Sequence, residues 1–190
     1  MTYQLFKAMD ELVDILDENG KPTGEFCLKS EAHRKGLFHP TVHVWFYTEQ
    51  GEILIQQRGK DKATHPLLWD VSVAGHVSSG EKIETAAVRE VEEEIGLDIT
   101  EDDLERIGTF KEIHKISNNF TDAEFHHVFL SELHVPLHDL TKQESEVEAL
   151  GLIAVRQFAE ETLDLVYSAK YVPHGTDYYK SIIQEIKKRL

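Results

Sequence analysis

The chain has 190 residues, 41% of them hydrophobic, and a formal net charge of −15. That length suits one domain, or one domain with a small extension. The negative balance argues against nonspecific attraction to nucleic acid or to an anionic membrane. No apolar run approaches the roughly 18 residues that a transmembrane helix needs.

The stretch MTYQLFKAMDELVDILDENG lacks a basic segment followed by an apolar one, so no signal peptide is expected. Cys27 is the single cysteine, which rules out an internal disulfide and fits a reducing, cytoplasmic setting.

In chain order, ELVDILDENGKPTGEFCL reads as strand, turn at Asp17 to Gly20, and strand. SEAHRKG reads as a short helix or loop ended by Gly36. TVHVWFYTEQGEILIQQR is a hairpin pattern in which Val42, Val44 and Phe46 alternate with His43, Trp45 and Tyr47. GKDKATHP is a polar loop and LWDVSVAGHV a short strand. Glu84 to Ile95 carries a helical apolar stripe at Ala87, Val88, Val91 and Ile95, expected to face the core, and Gly96 follows as a stop.

LERIGTFKEIHKI, EFHHVFLSELHV and EVEALGLIAV read as three further strands, and RQFAEETLD as a helix. GTDYYKSIIQEIKKRL is a terminal amphipathic helix with Thr176 or Asp177 as N-cap. This order predicts a mixed sheet flanked by helices rather than a doubly wound parallel fold. The chain reads as a single domain over residues 1–190, with 1–36 as an N-terminal hairpin and helix extension.

Glu90, Glu93 and Glu94 stand three and four residues apart, so one flank of the helix carries all three carboxylates. Such like-charged pairs repel by a few tenths of a kcal/mol each on a bare helix. An isolated EVEEE is an ordinary solvated face. Converging carboxylates are also what Mg²⁺ or Mn²⁺ requires. Arg89 can pair with one carboxylate, and Glu81 is a further partner near the helix start.

The wider pattern favours the metal. Gly75, Glu81 and Arg89-Glu90-Val91-Glu92-Glu93-Glu94-Ile95-Gly96-Leu97 match the whole signature G-x5-E-x7-R-E-U-x-E-E-x-G-U, with U aliphatic. Its chance expectation is below about 10⁻⁷. The stretch resembles the Nudix hydrolases. The resemblance implies an α/β/α sandwich around a mixed sheet and metal-dependent cleavage of a small-molecule diphosphate. It also implies Glu90, Glu93 and Glu94 as metal ligands, one of them the candidate base, with the Gly75 carbonyl as a further ligand. Arg89 and Glu81 would orient them.

Upstream, AHRKGLFHP, the hairpin, the basic loop and LLWDVSVAGHV resemble type I isopentenyl-diphosphate isomerase, a Nudix relative, across most of the first hundred residues. That resemblance implies a second metal site at His33, His39, His76 and Glu124, with Asp122 where the isomerase has another glutamate. It also implies diphosphate-binding cations at Arg58 and Lys62.

The isomerase's proton-transferring cysteine stands at the position of Ala74, and a methyl group cannot relay a proton. With the hydrolase signature intact, the reading favours a hydrolase over an isomerase or a non-catalytic binding module.

Each of His33, His39 and His76 alone also reads as a surface or satisfied core histidine. Glu124 and His126 share a strand face, from which His127 points away, and Glu124 is a candidate metal ligand or base. Trp69 is a candidate for the substrate pocket or for the core. His43 reads as packing or pocket lining, Lys60 and Lys62 also read as loop solvation, and His174 has no evident role. The oligomeric state is open, a homodimer being compatible with this reading.

Overall fold

Alternating side chains on the central strand organise the molecule. β3 (His39–Tyr47) directs Val42, Val44 and Phe46 into one buried cluster and Trp45 into another. The first cluster packs against α2 (Ile83–Ile95), and the second against α3 (Val155–Thr162) and α4 (Thr176–Lys187). A mixed sheet with helices on both faces is the result, as the sequence predicted. The computed structural model describes residues 10–164 and 167–190, so the first nine residues of the N-terminal stretch lie outside it.

The main sheet has the order β5 (Trp69–Asp70), β4 (Glu52–Arg58), β3, β8 (Phe120–Glu132), β7 (Glu105–Ser117). Off this path, β6 (Val73–His76) pairs with β3 and β9 (Val147–Ala154) pairs with β4. β3 and β8 run parallel from His39↔Glu124 to Tyr47↔Glu132, while β7 and β8 form a long antiparallel hairpin. Among the described residues, no helix is long and apolar enough to cross a membrane.

The hairpin read from the sequence is present but splayed. Only Tyr47↔Ile53 is a register pair between β3 and β4, and beyond it β6 and β9 take over the pairing. Ser72 fills the gap: its Oγ accepts from Phe46 N–H at 2.9 Å and donates to the Leu54 carbonyl at 2.5 Å. The insertion also breaks LWDVSVAGHV into two strands, β5 on β4 and β6 on β3, instead of the one expected.

Two more expectations shift. The buried side of α2 carries Ala86, Ala87, Glu90, Val91, Glu94 and Ile95, while Val88 is only half-buried. Two carboxylates therefore occupy the inward-facing flank. The N-cap of α4 is Gly175 rather than Thr176 or Asp177, with φ at 83°, a backbone conformation that glycine adopts without strain.

At the N-terminal side, β1 (Leu12–Leu16) and β2 (Pro22–Leu28) form a separate two-stranded sheet. It leads into α1 (Lys29–Lys35), closed by Gly36 at φ 65°. Val13, Ile15 and Ala32 form a small core there, and bridges at Leu16↔Phe38 and Val13↔Ser78 tie the unit to the main body. α1 thereby brings Lys29 and His33 to the same cavity as the signature helix.

Candidate active site

The signature loop and helix close on each other through Arg89. Its Nε and Nη2 donate to the two oxygens of Glu81 at 3.0 and 2.9 Å. Nη2 also donates to the His76 carbonyl at 3.0 Å, and Nη1 donates to Glu90 at 2.7 Å and Glu93 at 3.4 Å. A planar, multidentate guanidinium suits this task and a lysine does not. The Ser78 N–H donates to Glu81 at 3.0 Å, which pins the loop.

Gly75 has a steric reason to be glycine. A Cβ there would lie 1.9 Å from Glu90 Cδ and 2.3 Å from both of its oxygens. The Glu90 carboxylate is thus packed directly against the loop backbone. Glu94 lies deeper, accepting from Gln56 Nε2 at 3.0 Å and from the Ala74 N–H at 3.2 Å.

Burial pushes the Glu90 carboxyl up to about 7 against the opposing pull of Arg89. Burial pushes Glu94 up to about 8, more than Lys62 offsets. Buried carboxylates held this close are costly as anions without a cation, and a divalent ion with oxygen ligands fits them.

These groups face a cavity of about 530 Å³. Among the described residues ten carboxylates line it, against Lys29, Arg58 and Lys62 as the lysine and arginine side chains, and all three are paired. Lys29 holds Glu11 at 3.0 Å, Lys62 holds Glu146, and Arg58 holds Asp70 at 2.9 Å while also donating to Thr64. A free diphosphate would meet net repulsion in such a site. Metal ions are the way to invert that field.

A second group of donors fits a cation as well. One atom each from His33, His39, His76 and Glu124 lies within 4.8 Å of the others. The His39 and His76 Nε2 atoms approach Glu124 Oε1 at 3.4 and 3.3 Å, and His33 Nε2 approaches Asp122 Oδ1 at 3.3 Å. Yet the three Nε2 atoms and Asp122 Oδ1 are buried without a hydrogen-bond partner. Orphaned donors converging at these distances are the geometry of a ligand shell.

The structure decides between several alternatives that the sequence left open. Trp69 is not a wall of the cavity: its backbone pairs with Gln57 and its ring lies over Gly151, against the α3–α4 core. His43 does line the cavity, buried, with Nδ1 2.7 Å from the Tyr178 hydroxyl, which also accepts from Trp45 Nε1 at 2.9 Å. Burial, with His126 and His174 nearby, holds its imidazole well below the usual range, hence neutral. Lys60 is exposed in the loop. Cys27, the only thiol, is in β2 and is not among the lining residues, so none stands beside the Ala74 methyl.

The structure adds residues that sequence reading passed over. His174 is buried between two carboxylates, with Nε2 2.7 Å from Asp70 Oδ1 and Nδ1 2.9 Å from Glu112 Oε2. Burial opposes its charge, but Asp70 and Glu112 prevail and raise it to about 10. Glu112 also meets His126 at 2.9 Å and His114 at 3.0 Å. The available signal was the period-two pair Glu112 and His114 on β7, whose register partners on β8 are Glu124 and Asp122.

The comparisons agree with this geometry. The NUDIX domain family model matches residues 37–174. An uncharacterized Nudix hydrolase of Clostridium acetobutylicum is 32% identical, covering 93% of this chain and 97% of its own length. Nudix hydrolase 3 of Arabidopsis thaliana is 37% identical over 78% of this chain, which spans only 20% of that plant protein. An isopentenyl-diphosphate Delta-isomerase 2 of Photorhabdus laumondii is 29% identical, covering 90% of this chain and 94% of its own length.

In fold, a Deinococcus radiodurans protein superposes with a TM-score of 0.68 at 19% identity, covering 93% of this chain and 99% of its own. A carboxylate packed on glycine and locked by arginine needs the whole signature in register, and the match extends well beyond that signature. The chain belongs to the Nudix family of hydrolases, enzymes that act on acid anhydrides and generally use divalent cations.

Proposed function

We propose that this protein hydrolyses the phosphoanhydride of a small nucleoside- or isoprenoid-type diphosphate, with Mg²⁺ or Mn²⁺ held by Glu90, Glu93, Glu94 and the Gly75 carbonyl. The observation that carries the reading is the Glu90 carboxylate seated on Gly75 at a distance no other residue permits. When bound, the divalent ions neutralise the diphosphate and acidify the attacking water.

The chain's own residues do the rest. Arg89 fixes the Glu90 rotamer and ties it to Glu81. Glu93, half-exposed at the cavity edge, is free to receive a proton from water as candidate base. Glu124 is the second candidate, in the histidine group. Arg58, at the end of β4, and Lys62, in the loop after it, reach the cavity, where they can exchange their carboxylate partners for phosphate oxygens. His33, His39, His76 and Glu124 are proposed to hold a further ion.

A panel of nucleoside, sugar and isoprenoid diphosphates, incubated with Mg²⁺ or Mn²⁺ and scored for phosphate or pyrophosphate release, tests the reading. Glu93→Gln is expected to lower kcat by roughly 10²-fold or more, as for loss of a charged transition-state group. Conversion of isopentenyl diphosphate to its dimethylallyl isomer without phosphate release would replace hydrolysis by isomerisation. Ala74, with no thiol at hand, argues for hydrolysis.

A further inference from the structure

Glu112 and Glu124 are direct register partners across β7 and β8, so both carboxylates project to the same cavity. Like charges directly opposite each other destabilise a sheet unless cations intervene. Three imidazoles surround each carboxylate: His39, His76 and His126 around Glu124, and His114, His126 and His174 around Glu112. The Glu112 group repeats the composition of the first histidine group with different side chains.

Its histidines are oriented from behind. His174 Nε2 is 2.7 Å from Asp70 Oδ1, and Asp70 is itself held by Arg58 at 2.9 Å and by the Val71 N–H at 2.8 Å. His126 Nδ1 is 2.7 Å from the Thr41 hydroxyl. Both rings therefore turn their other nitrogen to one point: His174 Nδ1 and His126 Nε2 each lie 2.9 Å from the same oxygen, Glu112 Oε2. A carboxylate or hydroxyl behind an imidazole whose other nitrogen faces a shared carboxylate is the arrangement that orients histidine ligands. His114 Nε2, 3.0 Å from Glu112 Oε1, is buried without a hydrogen-bond partner.

We propose that Glu112, His126 and His174 form an additional cation site, with His114 as a fourth ligand, selective for a nitrogen-preferring divalent ion of the Zn²⁺ class. The ligand atoms of Glu112, His126 and His174 lie within 4.8 Å of one another, and His114 adjoins them through Glu112 Oε1 at 3.0 Å. Two or three imidazoles with one carboxylate suit Zn²⁺ far better than Mg²⁺, whereas the all-oxygen set on α2 suits Mg²⁺ or Mn²⁺. On binding, the proton between His174 Nδ1 and Glu112 leaves to solvent, the proton of His126 Nε2 moves to Nδ1, where the Thr41 hydroxyl accepts it, and the two freed lone pairs take the ion. The exposed side of this ion would face the cavity, where it meets an anionic or hydroxyl-bearing part of the substrate.

The site is separable from the proposed hydrolytic centre. Equilibrium dialysis of the full chain against Zn²⁺ alone, followed by elemental analysis, counts the ions. Glu112→Gln and His174→Gln are expected to bind one equivalent fewer than wild type. A Glu93→Gln, His39→Gln background should retain that equivalent, so failure here is distinguishable from failure of the hydrolase reading.

In that background, Co²⁺ should give visible ligand-field absorption that His174→Gln abolishes. Thr41→Val keeps every ligand and removes only the orienting hydroxyl. It should weaken Zn²⁺ by roughly 10–100-fold in competition with a chromophoric chelator, which covers the case in which a ligand variant fails to fold. Equal Zn²⁺ counts in wild type and Glu112→Gln, or an unchanged Zn²⁺ affinity in Thr41→Val, would overturn the proposal.

Discussion

At the residue scale, the site depends on a missing side chain. Gly75 lets Glu90 lie against the loop, and any Cβ there collides with the carboxylate. Gly75→Ala is therefore expected to keep the fold, because β6 is short and near the cavity rim, but to push Glu90 and its Arg89 contact aside. Activity should fall by roughly 10²-fold, the cost of about 1 Å of misplacement. Kinetics alongside circular dichroism would check it, and a fully active Gly75→Ala protein would refute the steric argument. Gly75 and Glu90 were legible in the sequence because the signature is local, with all of its parts within one loop and one helix.

At the scale of elements, the splay of β3 from β4 opens the sheet, and Ser72 bridges the break. Removing its hydroxyl leaves Phe46 N–H and the Leu54 carbonyl unpaired in a fully buried place. Ser72→Ala should cost about 1–3 kcal/mol, read as a lower urea midpoint with an unchanged slope. A midpoint equal to wild type would show that β3 and β4 re-pair.

α3 and the turn after it carry a pH-dependent contact. Burial would raise the Glu161 carboxyl, but Lys170, Tyr171 and Gln157 outweigh it and hold the group at about 2, below its usual 4.5. Its folded-state pKa is depressed, so the stabilisation is complete above about 4.5 and is lost as pH falls through about 2. Glu161→Gln should flatten that acid limb of stability in denaturation series at several pH values. Parallel curves for the two proteins would exclude the contact as a cause. Neither the Ser72 bridge nor the Glu161 cluster is visible in a pattern of polar and apolar residues, because each joins positions that only the folded chain brings together.

At the scale of the whole molecule, a charge of −15 and a cavity lined by ten carboxylates set the chain against its own anionic substrate. Divalent cations should stabilise the folded chain. At one hundred times Kd the gain is about 2.7 kcal/mol, or roughly 5–10 °C in Tm for a domain of this size. Thermal scans with Mg²⁺ or Mn²⁺, with a chelator, and with sodium at matched ionic strength would measure it. An equal rise with sodium would reduce the effect to general screening.

The sequence by itself determined the class of sheet, most of the element order and the acidic helix flank. Each of these follows from periodicity or from spacing within a few turns of chain. It left Trp69 between pocket and core, since its aromatic bulk fits either equally well, and left His174 without a role. The tertiary structure decided both: Trp69 covers Gly151, and His174 joins Asp70 and Glu112, 104 and 62 residues away. Local pattern reports which face a residue takes on its own element. Which charges converge in the cavity depends on the crossing of β3, β7, β8 and the segment before α4, contacts too distant along the chain for any short motif to record.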